Sequence, residues 1–383
     1  MNNDVIRGKA AIVGLGSSNF GDMYRQRDAQ RSAEDVGAAA LRQALDDAGL
    51  AKSDIDGLCL MRIPSYQTFG SMLGLEPGQL RHVTQYEAAG RMAGVAMQAA
   101  AMAIACGMAE TVALVYGNNG RSVGARYGGD YSYGPLTSYE SVYGMTSPGA
   151  GVALAYSRYV KEFGVPDDAL APLAISNRKF AMNNELAVMR KELTYDDYMN
   201  SRYIAEPLRL FDYCLINDGA IAMIMTSAER AADLRKPPVL IDSMGANTTV
   251  AATYQVPDNF WASATDVSDR LWSESGLTPA DIDVASIYDN FTPTILFSLE
   301  AFGYCKRGSG WEYVRDGRIE AGGELPVNTS GGHTSESYMQ GWNHLAELVR
   351  QVRGESANQV PKCDYAHYMC YSPITTSLVF SKA

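Results

Sequence analysis

The 383-residue chain holds no CxxC pair and no Cys/His run with the spacing of a zinc site. Its six cysteines, Cys59, Cys106, Cys214, Cys305, Cys363 and Cys370, stand far apart. A disulfide framework is therefore not expected, no metal is expected, and a reduced, cytoplasmic setting fits. A basic excess is also missing: 32 Lys+Arg face 43 Asp+Glu, for a formal net charge of −11. Nucleic-acid binding without sequence preference needs a dense basic footprint, so that class is excluded, while a local basic pocket for a phosphorylated ligand is not. No hydrophobic run is long enough to span a bilayer; the longest, around residues 93–105, is rich in small residues and reads as a buried helix. The opening MNNDVIRGKAAIVGLG has too short an apolar run for a signal peptide. What is present is globular: 46% hydrophobic and 20% charged residues, in a length that fits two domains or one duplicated one. The 23 tyrosines, large apolar bodies with polar tips, suit cavities and interfaces as well as plain core.

Strand-like and helix-like segments alternate. Strands are expected at 10–16, 55–61, 111–117, 218–225, 239–244, 285–289, 368–371 and 375–381. Helices are expected at 32–48, 91–106, 167–184, 294–302 and 338–353. Ser32 reads as an N-cap, with Asp35 three residues on and Gly49 at the C-cap. Such βαβ alternation implies a largely parallel sheet covered by helices. Gly14-Leu-Gly16 lacks the later glycine and acidic residue of a dinucleotide fingerprint and reads as a turn. Arg121–Ser147 has no period and carries Tyr127, Tyr131, Tyr133, Tyr139 and Tyr143; it reads as a surface excursion that either lines a cavity or varies freely.

An internal repeat organises the chain. ALDDAGLAKSDIDGLCL (44–60) and LWSESGLTPADIDVASI (271–287) each give a helix end, a Gly-Leu cap, an Asp-Ile-Asp turn and a strand. Gly49/Gly276, Asp54/Asp281, Ile55/Ile282 and Asp56/Asp283 share an ungapped offset of 227 (276 − 49). The repeat implies two similar α/β halves joined at Lys236-Pro237-Pro238.

The residues that carry a family resemblance are the 45–60 unit, Ser201-Arg202 with Glu206-Pro207-Leu208, Asp212-Tyr213-Cys214, Asp218-Gly219-Ala220 and the Gly-Gly turn Asn328-Thr-Ser-Gly-Gly. In this order and spacing the chain resembles the thiolase superfamily over essentially its whole length. The resemblance implies an α/β, thiolase-like fold of two duplicated βαβαβαββ halves in an α/β/α/β/α stack. The first half would be 1–236, with a loop region about 118–215, and the second 237–383. The departures are chemical. Gly90, in Tyr86-Glu-Ala-Ala-Gly-Arg91, stands where the family's nucleophilic cysteine is found. Tyr338 stands in the histidine position of the Gly-His-Pro motif, and Tyr288 in the His or Asn position of the motif after the repeat strand.

Thiolysis needs a thiolate and a histidine to generate it; both are replaced. Retro-aldol cleavage of a β-hydroxyacyl thioester needs only a general base, a general acid and donors for the thioester oxygen. The pattern resembles the cysteine-less thiolase-like aldolases of the lipid-transfer-protein branch, near the sterol carrier protein x thiolases. That resemblance implies a carbon–carbon lyase acting on steroid-like acyl-CoA, with CoA entering as part of the substrate and no covalently bound cofactor. It also implies a homodimer and a small zinc-ribbon/OB-fold partner. Tyr288 and Tyr338 are assigned jointly as acid and base. His333 is either a hydrogen-bond partner of a catalytic oxygen or a structural histidine. Glu87 either tunes a tyrosine or pairs with Arg91 one turn on. Gly90, Gly331, Gly332 and Asp289 make up the oxyanion and substrate-binding set, with Asp289 orienting the Tyr288 turn, and His344 is assigned to surface or packing. Two other readings stay open: a Claisen-type thiolase with a displaced cysteine, for which Cys214 and Cys370 are the candidates, and a non-catalytic acyl-CoA or lipid binder.

Overall fold

The computed structural model describes residues 6–86, 92–125, 144, 147–248, 261–371 and 374–383. The tyrosines expected on the excursion (127, 131, 133, 139 and 143), together with Glu87 and Gly90, lie outside them. The strands are β1 (Ala10–Ser17), β2 (Gly57–Met61), β3 (His82–Tyr86), β4 (Thr111–Asn118), β5 (Tyr203–Ala205), β6 (Leu208–Arg209), β7 (Gly219–Ser227), β8 (Val239–Thr248), β9 (Val284–Ile287), β10 (Tyr365–Cys370) and β11 (Ile374–Lys382). Apart from the β5–β6 hairpin they form one nine-stranded sheet in the order β3-β2-β4-β7-β1-β8-β11-β10-β9. β1 and β8 touch through Ala11–Leu240 and Ile12–Val239 only. On either side of this narrow seam the pattern mirrors: β2–β4 and β9–β10 pair in parallel, β4–β7 and β10–β11 antiparallel.

The main helices are α1 (Phe20–Arg25), α2 (Ala33–Ala48), α3 (Tyr66–Leu73), α4 (Met92–Ala105), α5 (Pro148–Phe163), α6 (Ala171–Asn183), α7 (Ala262–Ser275), α8 (Pro293–Ala301) and α9 (Trp342–Arg353). Strand alternation sorts them into layers. Leu58 and Leu60 of β2 pack with Leu41 and Ala44 of α2, whereas Cys59 and Met61 face α4. In the second half, Met369 of β10 packs with α7 and α8, while Ala366, Tyr368 and Cys370 face the same inner layer as Trp342 and Leu345 of α9. The stack is therefore α/β/α/β/α, with α4 and α9 buried between the two halves of the sheet.

The repeated segments take the same conformation. Gly49 and Gly276 both close a helix in the left-handed region. Asp54 and Asp281 each accept a backbone N–H at 2.8 Å, from Ala51 and Thr278. Asp56 accepts from Glu110 and Thr111 N–H at the start of β4, and Asp283 from Asp364 and Tyr365 N–H at the start of β10. The second aspartate of each Asp-Ile-Asp turn thus fixes where a distant strand begins.

Four expectations differ from the structure. The sheet is not largely parallel: β2–β3, β2–β4 and β9–β10 pair in parallel, while the central pairs β4–β7, β7–β1, β1–β8, β8–β11 and β11–β10 are antiparallel, because the two halves meet through strands that the βαβ alternation does not order. Gly14 and Gly16 are not a turn; they lie inside β1, where a side chain at either would run into the carbonyl oxygens of Ala44 and Ala40. Their lack of Cβ lets α2 sit directly on the strand. The last helix begins at Trp342 rather than 338, because Gln340 (φ 53°) and Gly341 (φ 92°) are left-handed. Between residues 147 and 163 a helix stands where a loop region was expected, with the Ser147 hydroxyl accepting from Ala150 N–H and Pro148 in its first turn. No helix among the described residues is long and apolar enough to cross a membrane.

The approach of α2 to β1 yields a direct test. Gly14→Ala should lower stability by about 1–3 kcal/mol through overpacking, seen as a fall in Tm in thermal unfolding. A Tm equal to that of the parent would show that the helix can retreat freely.

Candidate active site

Tyr288 follows β9, and its N–H donates to Met369 O at 2.8 Å, extending the β9–β10 ladder by one residue. The other edge of β9 is held by a side chain. Asn328, at φ 55°, accepts from Ile287 N–H through Oδ1 (2.7 Å) and donates to Ile287 O through Nδ2 (3.1 Å). Its amide stands in for a strand partner and fixes the residue just before Tyr288.

The Gly-Gly turn continues from Asn328 into a wide helical turn at Gly332–Glu336. Gly331 (φ 109°) and Gly332 (φ 59°) are both left-handed, and a side chain at Gly332 would strike Asp289 Oδ2. The turn is anchored beneath by Glu336, fully buried, which accepts from Ser330 Oγ (2.6 Å), Asn343 Nδ2 (3.0 Å) and Asn184 Nδ2 (3.2 Å). Burial pushes its carboxyl up to about 7. Tyr338 then leaves the turn in extended chain, its N–H held by Asn217 Oδ1 at 2.7 Å.

These two routes bring the phenols of Tyr288 and Tyr338 together, O to O 2.9 Å. Tyr288 is 3% exposed and Tyr338 is half-buried. Burial first, and then the Tyr338 phenol, holds Tyr288 well above the usual tyrosine range. His333 stands behind the pair, its ring edge-to-face with Tyr288 (4.7 Å, 83°) and with Tyr338 (4.9 Å, 82°).

Asp289 is a hub without exposure. Its Oδ1 accepts from His333 N–H (2.9 Å) and His344 Nε2 (2.9 Å), and its Oδ2 accepts from Asn177 Nδ2 (2.7 Å). His344 is thus neither surface nor mere packing. Asp289, His333 and His344 present metal-ligand atoms within 4.8 Å of one another, so the cluster invites a metal reading. Its hydrogen bonds fit that reading poorly. His333 Nε2 accepts from Gly341 N–H at 3.1 Å, which puts the proton of the neutral ring on Nδ1, the atom 3.3 Å from Asp289. A protonated nitrogen has no lone pair to offer a metal. Burial and the neighbouring His344 lower the His333 pKa well below the usual range, so the ring is neutral.

The other expected site residues fall as follows. Gly331 gives its N–H to Asn328 O (2.8 Å) and so cannot offer it to a thioester. Gly332 is buried against Asp289. Glu87 and Gly90 lie outside the described residues. Cys370 is buried in β10. Cys214 borders a cleft, and burial raises its thiol far from the thiolate a nucleophile needs. Asn217, Asn328, Glu336, Asn177 and His344 were not singled out by sequence reasoning. Only Asn328 carried a signal, as the first residue of the Gly-Gly turn.

The cleft has a volume of about 920 Å³. Its wall includes Cys214, Leu215 and Thr334, and it carries the cations Arg27, Arg121, Arg178 and Lys191. It abuts the site through backbone: Leu215 N–H donates to His333 O (2.9 Å) and Cys214 N–H to Asn290 O (3.0 Å). The tyrosine pair does not line it. Asp212, two residues before Cys214, accepts from Thr292 Oγ1 (2.7 Å), which locks this wall to the Tyr288 turn.

The family described as "Thiolase C-terminal domain-like" matches residues 245–376. The 17-hydroxy-3-oxo-4-pregnene-20-carboxyl-CoA lyase of Mycobacterium tuberculosis is 36% identical over 97% of this chain and 99% of its own length. The steroid side-chain-cleaving aldolase of Thermomonospora curvata is 36% identical over 93% of each chain. The solved "Ltp2-ChsH2(DUF35) aldolase" superposes with a TM-score of 0.89 at 33% identity, over 99% of both chains. The chain belongs to the thiolase superfamily, in its cysteine-less, lipid-transfer-protein aldolase branch.

Proposed function

We propose that the protein is a carbon–carbon lyase that splits a β-hydroxyacyl-CoA by retro-aldol cleavage, with Tyr288 and Tyr338 as its acid and base. The observation that carries this reading is the 2.9 Å contact between the two phenols. One phenol oxygen takes the β-hydroxyl proton while its own passes across the 2.9 Å contact to the other phenol, and the electrons left on the substrate's hydroxyl oxygen form the carbonyl as the Cα–Cβ bond breaks. The bond's electron pair passes into the enolate of the thioester. The other phenol delivers a proton to Cα, which leaves a ketone or aldehyde and a shorter acyl-CoA. No acyl group is transferred to the protein, in keeping with the raised Cys214 thiol and the buried Cys370. The names of the relatives concern steroid side chains, and a steroid-like or otherwise bulky hydrophobic acyl group is proposed here.

The cleft is proposed to take the CoA half of the substrate. It sets Arg27, Arg121, Arg178 and Lys191 beside Leu193 and Phe211, the mixture that phosphates on a long, partly apolar arm require. The proposed assembly is a homodimer, supported by β3, a sheet edge that among the described residues has a strand partner on one side only. A small zinc-ribbon/OB-fold partner is proposed with it, supported by the ChsH2(DUF35) component named in the superposed structure. We further infer two halves, 1–236 and 237–383, from the mirrored strand order about the β1–β8 seam. A cytoplasmic setting is proposed from six cysteines, none of them in a disulfide among the described residues.

Tyr288→Phe and Tyr338→Phe should each fold, and at least one should lose 10²-fold or more in kcat, the usual loss when an acid or base is removed. Mass spectrometry of products from hydroxyacyl-CoA thioesters, with and without the partner, checks this. An acyl-enzyme trapped on Cys214 or Cys370 would replace this mechanism with the thiolase one, and binding without turnover would favour the non-catalytic reading. For the cleft, the Arg27→Ala/Lys191→Ala double variant should raise KM for acyl-CoA about 10-fold or more with kcat held within about 2-fold, the pattern of lost uniform binding. Steady-state kinetics with a CoA thioester and its truncated pantetheine analogue reads this out. The analogue should not distinguish the variant from the parent.

A further inference from the structure

We propose that His333 is a positioning residue for the tyrosine pair, its ring held at Nε2 by Gly341 N–H and its backbone N–H held by Asp289, so that both phenols lean on one fixed imidazole. The inference rests on the reading of Tyr288 and Tyr338 as acid and base.

Three observations carry it. First, both tyrosine rings meet the His333 ring at near right angles, with centroids 4.7 and 4.9 Å away, so its orientation sets theirs. Second, its bonded polar atoms point away from the phenols, and Nδ1, without a hydrogen bond of its own, lies 3.3 Å from Asp289. Nε2 accepts from Gly341 N–H, and the backbone N–H faces Asp289. No hydrogen bond joins the imidazole to either phenol among the described contacts, so it has no route by which to relay a proton. Third, the clamp is itself held in place. His344 Nε2 and Asn177 Nδ2 fix Asp289. Gly341, left-handed and with Tyr288 Cδ2 3.3 Å from where a Cβ would stand, has no room to shift. The 0% exposure of His333, Asp289 and His344 places this device behind the phenols, out of a substrate's reach. Since a misplacement of about 1 Å can cost about 10²-fold in rate, a rigid backing to a 2.9 Å phenol contact has kinetic consequences.

The test compares His333→Leu with the His344→Leu and His344→Gln variants in the full chain, assayed with its partner. In His333→Leu, kcat should fall about 10-fold or more at every pH, with KM within about 2-fold and both limbs of the pH profile retained. His344→Leu should fall the same way. His344→Gln, which keeps an N–H donor for Asp289, should recover to within about 3-fold of the parent. A folded His333→Leu protein with parental kcat overturns the proposal. So does loss of a pH limb, which would make His333 an acid or base. If His333→Leu does not fold, equal kcat in the two His344 variants overturns it. Absence of turnover in the parent would sink the lyase reading alone. The clamp is then read by ultraviolet absorbance of tyrosinate: His333→Leu should bring one phenol nearer the ordinary value of about 10. That change should vanish in the Tyr288→Phe background, and a curve identical to the parent's overturns the proposal.

Discussion

Asp289 is a carboxylate with no water around it, so protein donors must satisfy it, and the segments that supply them are the ones that carry the chemistry. His333 N–H comes from the Gly-Gly turn, His344 from α9 and Asn177 from α6, while Asp289 itself follows Tyr288 on the chain. Pulling these together leaves Tyr338 little choice of path: the turn ends at Glu336, α9 begins at Trp342, and the residues between have to cross beside Tyr288. The left-handed pair Gln340–Gly341 is what that crossing demands of the backbone. The phenol contact is thus a consequence of how a buried charge is satisfied, and its geometry inherits the rigidity of that network.

Much of this was legible in the sequence, and the parts that were not share a cause. The repeat at Gly49 and Gly276, the caps of α2 and the strand pattern come from local periodicity and turn chemistry, which a sequence states directly. Tyr288 and Tyr338 stood out because they occupy family motif positions. The start of α9 was misread because Ser337-Tyr338-Met339 has nothing that opposes a helix; the break comes from Gln340–Gly341, where packing against Tyr288 and Tyr368 decides the conformation. His344 was assigned to surface or packing because it shares the polar stripe of an amphipathic helix with Asn343, Glu347 and Gln351, and such a stripe reads as solvent-facing, whereas in the fold it is buried. Asn217 was missed for a different reason. Its partner, Tyr338, is 121 residues away, and no local pattern encodes a bond of that span.

Four thiols of the described structure are held in the protonated form. Burial raises the thiols of Cys59, Cys305 and Cys363 to about 12, and lifts that of Cys214 as well. No thiol among these approaches the lowered pKa that marks a reactive cysteine. The same low-dielectric surroundings act on the Tyr288 phenol in the same direction, and burial keeps its proton in place in the resting protein.

Two phenols 2.9 Å apart in such a site also constrain each other. If one ionises, the other becomes its hydrogen-bond donor, and ionising both would set like charges in contact without water. With the contact closed, a proton taken up at one oxygen can be passed on from the other, so removal from a hydroxyl and delivery to a carbon can be coupled within the pair. This also explains why neither residue's sequence context orders the roles. The asymmetry lies in burial, with Tyr288 closed off and Tyr338 half-open, so only the Tyr338 side of the pair is open to an entering acyl group.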